Sequence, residues 1–449
     1  MEIKSTKTEI QKAESSTIEI QEQCIDVVNE IQKKMENLGS PISSDQCCIY
    51  RVPDYLSKSM EEHYTPQVIS IGPFHHDAYN DKLKTMEQRK LRYLKYFIQR
   101  VKNLQISLEN LVSTIKKYEE NIRCSYAKTI QLKSGPFVEI ILVDAIFILE
   151  LFWRYHFDDW ASEDNGASLE PWLIAAIRFD LILLENQLPF FILDKLFHLA
   201  FSSHEVYDKS LIIVMTFDYF QFYNTQNIAP SPHLEMKHFL DLLRTFWLPP
   251  SKSLPKRTND VVKHVYSATQ LHDAGLKFRK DSSKCLFDIN FGTGVLKMPP
   301  ITLDNSSKTL YRNLLALEQC HYSNKAYITD YFILLAFLIT TDNDVKLLVR
   351  KGVMANLLGN DDEARDLVKK LCTNIVYVDM NSDYHDVCKG LNLFYKKPWN
   401  TWLATLRRDY FSTPWRIVST IAAVIFLLLT LLQTIYTMFP IKASNRTCC

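Results

Sequence analysis

Residues Leu94 to Ile122 read LKYFIQRVKNLQISLENLVSTIKKYEENI, and their spacing sets the fold class. Leu94, Phe97, Val101, Leu104, Leu108, Leu111, Ile115, Tyr118 and Ile122 recur at steps of three and four, the period of one helical face. The pattern predicts a long helix of about four heptads. Ile98 and Val112 widen the stripe, and the flanking positions hold few opposed charges, which suits packing inside a helical domain. The alternative is an intermolecular coil, which would make the chain a homo-oligomer through the same stripe.

Helical signals continue on both sides. Phe137 to Trp153 is an apolar run broken only by Glu139, Asp144 and Glu150, so it predicts a core helix rather than a membrane span. Pro171 opens a second apolar helix through Ala175, Ile177, Phe179 and Leu181, which Pro189 should kink or divide. Asp304 to Ser307 can cap a helix carrying Leu310, Leu314, Leu315 and Leu317. The period becomes two at Phe287, Ile289 and Phe291; Gly292-Thr293-Gly294 and then Leu296 and Met298 complete a hairpin signal. Prolines and glycine make the stretches 49–53 and 68–73 extended.

Residues 417–439 contain no charged side chain. A helix of that length spans about 34 Å, enough to cross a hydrocarbon core of about 30 Å. Its Leu, Ile, Val and Phe side chains favour insertion by roughly 4–8 kcal/mol in all. A lipid bilayer is therefore the expected partner through Ile417 to Phe439, with Trp415 and Tyr436 near the interfaces. Lys397, Arg407, Arg408 and Arg416 precede the span, against Lys442 and Arg446 beyond it. With no apolar targeting segment at Met1 to Lys7, this bias predicts a cytosolic large domain at the plasma membrane or an endomembrane. The Asn445-Arg446-Thr447 sequon and the Cys448-Cys449 end are expected to be silent.

The fold class is thus mainly α: a multi-helix globular domain with a small β-hairpin or sheet and a single C-terminal transmembrane helix. The expected partition is a polar lead-in over 1–46 with a weak stripe of Ile25, Val28, Ile31 and Met35, an α-rich domain over 47–398, a juxtamembrane helix over 399–416, the span and a tail over 440–449.

Composition removes whole classes of function. Hydrophobic residues make up 47% and charged residues 23% of the 449, an ordinary folded balance, and a net charge of +1 gives no footprint for nucleic acid. Ten glycines are too few for Rossmann or phosphate loops, and Lys297 stands where a third glycine after Gly292 and Gly294 would fall. The ten cysteines include no C-x-x-C pair, so free thiols in a reducing compartment are expected.

Several segments match one pattern. Val68-Ile69-Ser70-Ile71-Gly72-Pro73-Phe74-His75-His76 is followed by Leu83, Met86-Glu87, Lys90 and Tyr93-Leu94. Val143-Asp144 stands with Phe147-Ile148-Leu149-Glu150-Leu151-Phe152, and Asp180-Leu181 with Leu184-Glu185-Asn186-Gln187-Leu188-Pro189-Phe190-Phe191. Leu310-Tyr311-Arg312-Asn313-Leu314 and Leu317-Glu318-Gln319 complete the series. Over about residues 47 to 440 this order resembles the plant family called domain of unknown function 247, with departures at Asp77 and Ala145-Ile146. The resemblance implies a plant protein with a C-terminal membrane helix and no assigned activity. Some grass members are linked to pollen self-recognition, which supports a recognition role for the family; with no catalytic motif in the chain, recognition, signalling or scaffolding through unidentified protein partners is the expected role.

The same motifs supply the candidate structural residues: Gly72, Pro73, His75, His76, Asp144, Glu150, Glu185, Asn186, Gln187 and Pro189. Adjacent histidines on an extended segment face opposite ways and cannot easily share a metal. Glu185-Asn186-Gln187 interrupts an apolar helix, and buried polar groups need partners, so a stitching network is expected. No catalytic residue, metal ligand or cofactor is predicted. The competing reading is a membrane-tethered hydrolase or transferase using Glu185 or His76.

Overall fold

The computed structural model describes residues 24–35, 46–58, 60–76, 81–160, 169–201, 210–249, 254–411 and 414–438. The expectations for Asp77, Phe439, the tail 440–449 and most of the lead-in fall outside these residues. The chain divides into Met1–Cys47 and Cys48–Cys449. In the first unit residues 24–35 are helical and carry the Ile25, Val28, Ile31 and Met35 stripe.

The second unit is built around the helix Ser134–Phe157, in which every residue from Phe137 to Arg154 except Glu139 is buried. A helix apolar on all sides must be covered on all sides. Asp81–Val101, Leu108–Lys117, Phe190–Phe201 and Leu211–Tyr219 provide that cover. Aromatic rings lock the layers: Phe152 stacks on Tyr219 with centroids 4.6 Å apart, and Trp153 on Phe201 at 4.9 Å. Each fully buried Leu, Ile or Phe contributes about 1.5–3 kcal/mol, so this helix is the main hydrophobic anchor of the fold.

The stripe from Leu94 to Ile122 is not one helix. The first helix ends at Val101, a 3-10 turn follows over Lys102–Leu104, and Gln105 turns left-handed at φ 59°. Ser107 then starts a new helix by accepting the Asn110 N–H in a capping box, and a further break at Tyr118 begins Glu119–Cys124. A capping hydroxyl competes locally with continued helix, which periodicity alone does not register. Phe97, Val101, Leu111, Ile115 and Ile122 are buried within this chain.

Among the described residues five short strands form two sheets. β1 (Lys277–Lys280) runs parallel to β3 (Val295–Met298), and β3 pairs antiparallel with β2 (Asn290–Gly292). The two-residue turn Thr293-Gly294 has positive φ at both positions, 48° and 74°, the geometry that matches the twist of a hairpin. β4 (Ile301–Leu303) pairs parallel with β5 (Met354–Asn356). Asp304 caps Asn305–Cys320 through the Ser307 N–H.

One apolar helix closes the described chain, Pro414–Met438. It follows Pro398–Tyr410, which lies on Ala268–Asp273 with Ala404 buried and Arg407 donating to the carbonyls of His272 and Asp273.

Candidate functional site

The family-pattern residues converge on one extended segment, Gln67 to Gly72. It belongs to neither sheet, yet the amides of Gln67, Val68, Ile69, Ile71 and Gly72 are paired. Asp180 Oδ1 accepts from Gln67 N–H at 2.9 Å, and its Oδ2 from Val68 at 2.6 Å and Ile69 at 2.8 Å. Asn186 Oδ1 accepts from Ile71 N–H at 2.6 Å, and Asp144 Oδ2 from Gly72 N–H at 2.8 Å. Side chains thus take the place of a neighbouring strand. Buried amides must be satisfied, and here the acceptors come from the central helix, the end of Pro171–Asp180 and the irregular stretch after it.

The same side chains end the helix Pro171–Asp180. Asn186 Nδ2 donates to the Asp180 carbonyl, and Gln187 Nε2 to those of Leu181 and Leu183. These are acceptors that a continuing helix would have used. Leu181 to Pro189 is therefore irregular, so Glu185-Asn186-Gln187 sits between two helices rather than within one. Pro189 immediately precedes the next, Phe190–Phe201. Gln187 Oε1 accepts from Phe239 N–H at 3.0 Å, at the start of Phe239–Trp247.

Three of the candidate residues, Asp144, Glu150 and Glu185, are carboxylates that face cations. Lys90, 1% exposed, donates to Asp144 at 2.6 Å, to Glu87 at 2.6 Å and to the Ser70 carbonyl. Burial pushes the Asp144 pKa up, and Lys90 offsets part of that. Glu150 takes Arg100 on both oxygens, at 3.0 and 2.8 Å, and Arg154 at 2.8 Å. Glu185 accepts from Val52 N–H at 2.8 Å and from Arg51 at 2.9 Å, and His75 Nε2 lies 3.2 Å from its Oε2. Burial pushes the Glu185 carboxyl up, but His75, the Val52 amide and Arg51 outweigh it and hold the net value below the usual range. Asp180 differs: burial raises it to about 6 against the pull of its three amide donors.

Gly72 makes the turn out of the segment at φ 75°, and a Cβ there would meet the Gln187 carbonyl at 2.8 Å and the Tyr126 hydroxyl at 3.0 Å. Tyr126 itself donates to that carbonyl. Pro73 continues the turn into buried Phe74 and His75, while His76 is exposed. Of the candidate residues, the structure brings Gly72, His75, Asp144, Glu185, Asn186 and Gln187 around this segment. Glu150 belongs to a separate ionic cluster on the same central helix. Among the described residues no group of three or more His, Cys, Asp or Glu is placed to hold a metal.

Chemically, the arrangement leaves Glu185 ionised with both oxygens engaged, which suits clamping rather than proton transfer. Sequence reasoning did not single out Asp180, Lys90 or Tyr126 as site residues. The first two lay inside quoted motifs, but a charge flanked by apolar residues was the only signal, and it does not name a partner.

Known proteins share this pattern. The model of the family DUF247, described as plant protein of unknown function, matches residues 49–429. The chain belongs to the DUF247 family. Among curated relatives, "UPF0481 protein At3g47200" of Arabidopsis thaliana is 30% identical over 420 residues, covering 87% of this chain and 86% of the relative. "Putative UPF0481 protein At3g02645", also of Arabidopsis thaliana, is 24% identical over 490 residues, covering 86% and 89%. No solved structure matches. The DUF247 match spans the Gln67–Gly72 segment, its acceptors and most of the C-terminal apolar helix.

Proposed function

We propose that this DUF247 protein is a membrane-tethered recognition, signalling or scaffold protein that acts through protein partners, with its large domain on the cytosolic face. The observation that carries the tether is Trp415–Met438: 24 residues, apolar, and not buried against the rest of the chain. Phe426 is 71% exposed and Leu427 67%. An exposed apolar surface on this scale requires a cover, and a helix of about 36 Å matches a bilayer.

The preceding helix supports the same reading. Trp399 and Trp402 are 73% and 72% exposed, and Leu406 and Tyr410 continue their side of Pro398–Tyr410. Aromatic side chains next to a span favour the headgroup level. The recognition role draws support from the buried motifs, whose polar atoms bind the protein's own backbone and leave its surface as the working part.

The test is alkaline extraction of membranes carrying the full chain and a form lacking residues 417–449. The full chain should stay with the membrane and the truncated form should become soluble. A truncated form that still sediments would overturn the single tether.

A further inference from the structure

A second cluster lies away from the Gln67–Gly72 segment, on the helix Asn305–Cys320. Arg312 is 6% exposed, and its Nε is buried without a hydrogen-bond partner. Among the described residues no carboxylate comes within ion-pair distance of its guanidinium. Tyr64 is a polar neighbour that favours the charged guanidinium. A buried guanidinium without a carboxylate is costly, because desolvation is not repaid by a counter-charge. Burial lowers the Arg312 pKa, with Tyr64 and then Glu62 opposing it. Glu62 is exposed and lies 3.7 Å from His63, so it is a screened neighbour rather than a buried partner.

Arg312 lines a cleft of ≈ 200 Å³, and the other charged lining residue is Lys370. Thr373 and Asn374 add polar atoms at one side, and Leu315, Leu371 and Ile375 add apolar wall. Lys370 is in the last turn of Asp361–Leu371, and Asp366, four residues earlier, is engaged by Arg365 at 2.8 Å. Arg312 and Lys370 also border a second cleft of ≈ 420 Å³. That cleft carries four carboxylates, Glu62, Asp362, Glu363 and Asp366, of which Glu363 is held by Lys308 at 2.7 Å and Asp366 by Arg365. The smaller cleft therefore has two positive charges, no lining carboxylate and an apolar wall.

We propose that this cleft binds a small organic acid, its carboxylate against Arg312 and Lys370 and its apolar body against Leu315, Leu371 and Ile375. Guanidinium recognition of a planar carboxylate supplies the affinity that the buried charge lacks on its own. A free oxyanion leaves the apolar wall unused.

The probe is hexanoate, titrated into the purified full chain in detergent, with hexanol and inorganic phosphate as parallel arms and calorimetry and melting temperature as readouts. Hexanoate should bind saturably and raise the melting temperature, and hexanol should not. Arg312→Met should fold with unchanged or higher stability and weaken hexanoate binding at least tenfold. Lys370→Gln, nearer the surface, should fold normally and weaken it severalfold. If Arg312→Met fails to fold, the Lys370→Gln titration decides. Equal hexanoate binding by wild type and Lys370→Gln, or equal binding of hexanol, would overturn the proposal. Phosphate binding as tightly as hexanoate would overturn the organic acid in favour of a free oxyanion.

Discussion

Asn186 and Ile71 are joined by an amide-to-carboxamide hydrogen bond of 2.6 Å between residues 115 apart in sequence. The same carboxamide returns a proton to the Ile69 carbonyl at 3.0 Å and another to Asp180 at 2.9 Å. One side chain thereby fixes the register of the extended segment and the end of a helix together. Replacing it by Leu removes three bonds and strands their backbone partners in the core. The expected cost is about 2–4 kcal/mol, given about 1–3 for each buried group left unsatisfied and incomplete additivity. Denaturant unfolding of Asn186→Leu against wild type measures it; an unchanged midpoint refutes the role.

Lys90 and Asp144 form a buried pair whose members also bond backbone groups. Lys90→Met leaves the Asp144 charge without its cation and should cost about 3–5 kcal/mol. Adding Asp144→Asn keeps an acceptor for Gly72 and removes the charge, so the double variant should recover part of that loss. A double-mutant cycle reads the coupling directly, and strictly additive losses would show that the pair is not coupled.

Gly72→Ala meets two obstacles, left-handed φ and the Gln187 carbonyl 2.8 Å from the new Cβ. Strain from the backbone alone is roughly 1–2 kcal/mol, and the displaced carbonyl adds to it. Gly135, near the start of the central helix, has negative φ and nothing within 4 Å of where a Cβ would stand, so Gly135→Ala is the matched control. The expected outcome is a clear drop in melting temperature for Gly72→Ala and none for Gly135→Ala. Equal melting curves would remove the argument.

Glu185 makes stability depend on pH with a definite sign. Its folded pKa lies below the ordinary 4.5, so it contributes stability above that pH and loses it as pH falls through the folded value. Glu185→Gln should therefore cost most at neutral pH, about 1–3 kcal/mol, and progressively less below pH 4.5. Urea midpoints for both proteins at pH 7 and pH 4 test this. A penalty that grows on acidification would reverse the assignment.

Orientation rests on four basic residues before the span against two after it, a modest bias. A tag carrying an efficient glycosylation sequon, placed after Cys449 in one form and before Met1 in another, reports which end crosses. Sugar on the C-terminal tag alone is the expected result. Sugar on the N-terminal tag would put the large domain on the opposite face.

Helical class, the hairpin at Thr293-Gly294 and the Asp304 cap were legible because each is written locally, in a period or a cap. The break after Val101 was not, since Leu104 and Leu108 keep the apolar rhythm across it while Ser107 redirects the backbone. The parallel pairings β1 with β3 and β4 with β5 join short strands through long crossovers and leave no local trace. At the site, Glu185, Asn186 and Gln187 were visible as polar residues amid apolar ones. Their partners, amides at 52, 71 and 239, carry no side-chain signature at all. Arg312 was quoted within a motif, but its lack of a counter-ion is a property of three-dimensional neighbours.

The side-chain pairing of residues 67–72 also sets a schedule. During synthesis Ile69 is made 111 residues ahead of Asp180, its acceptor. At about 5–20 residues per second, that gap lasts roughly 5–20 s. For that interval the Val68 and Ile69 amides lack their native acceptor, although Lys90 and Asp144, which hold Ser70 and Gly72, are made earlier. The register of the segment is therefore completed only once the 180–186 stretch has been synthesised, after the whole of the central helix.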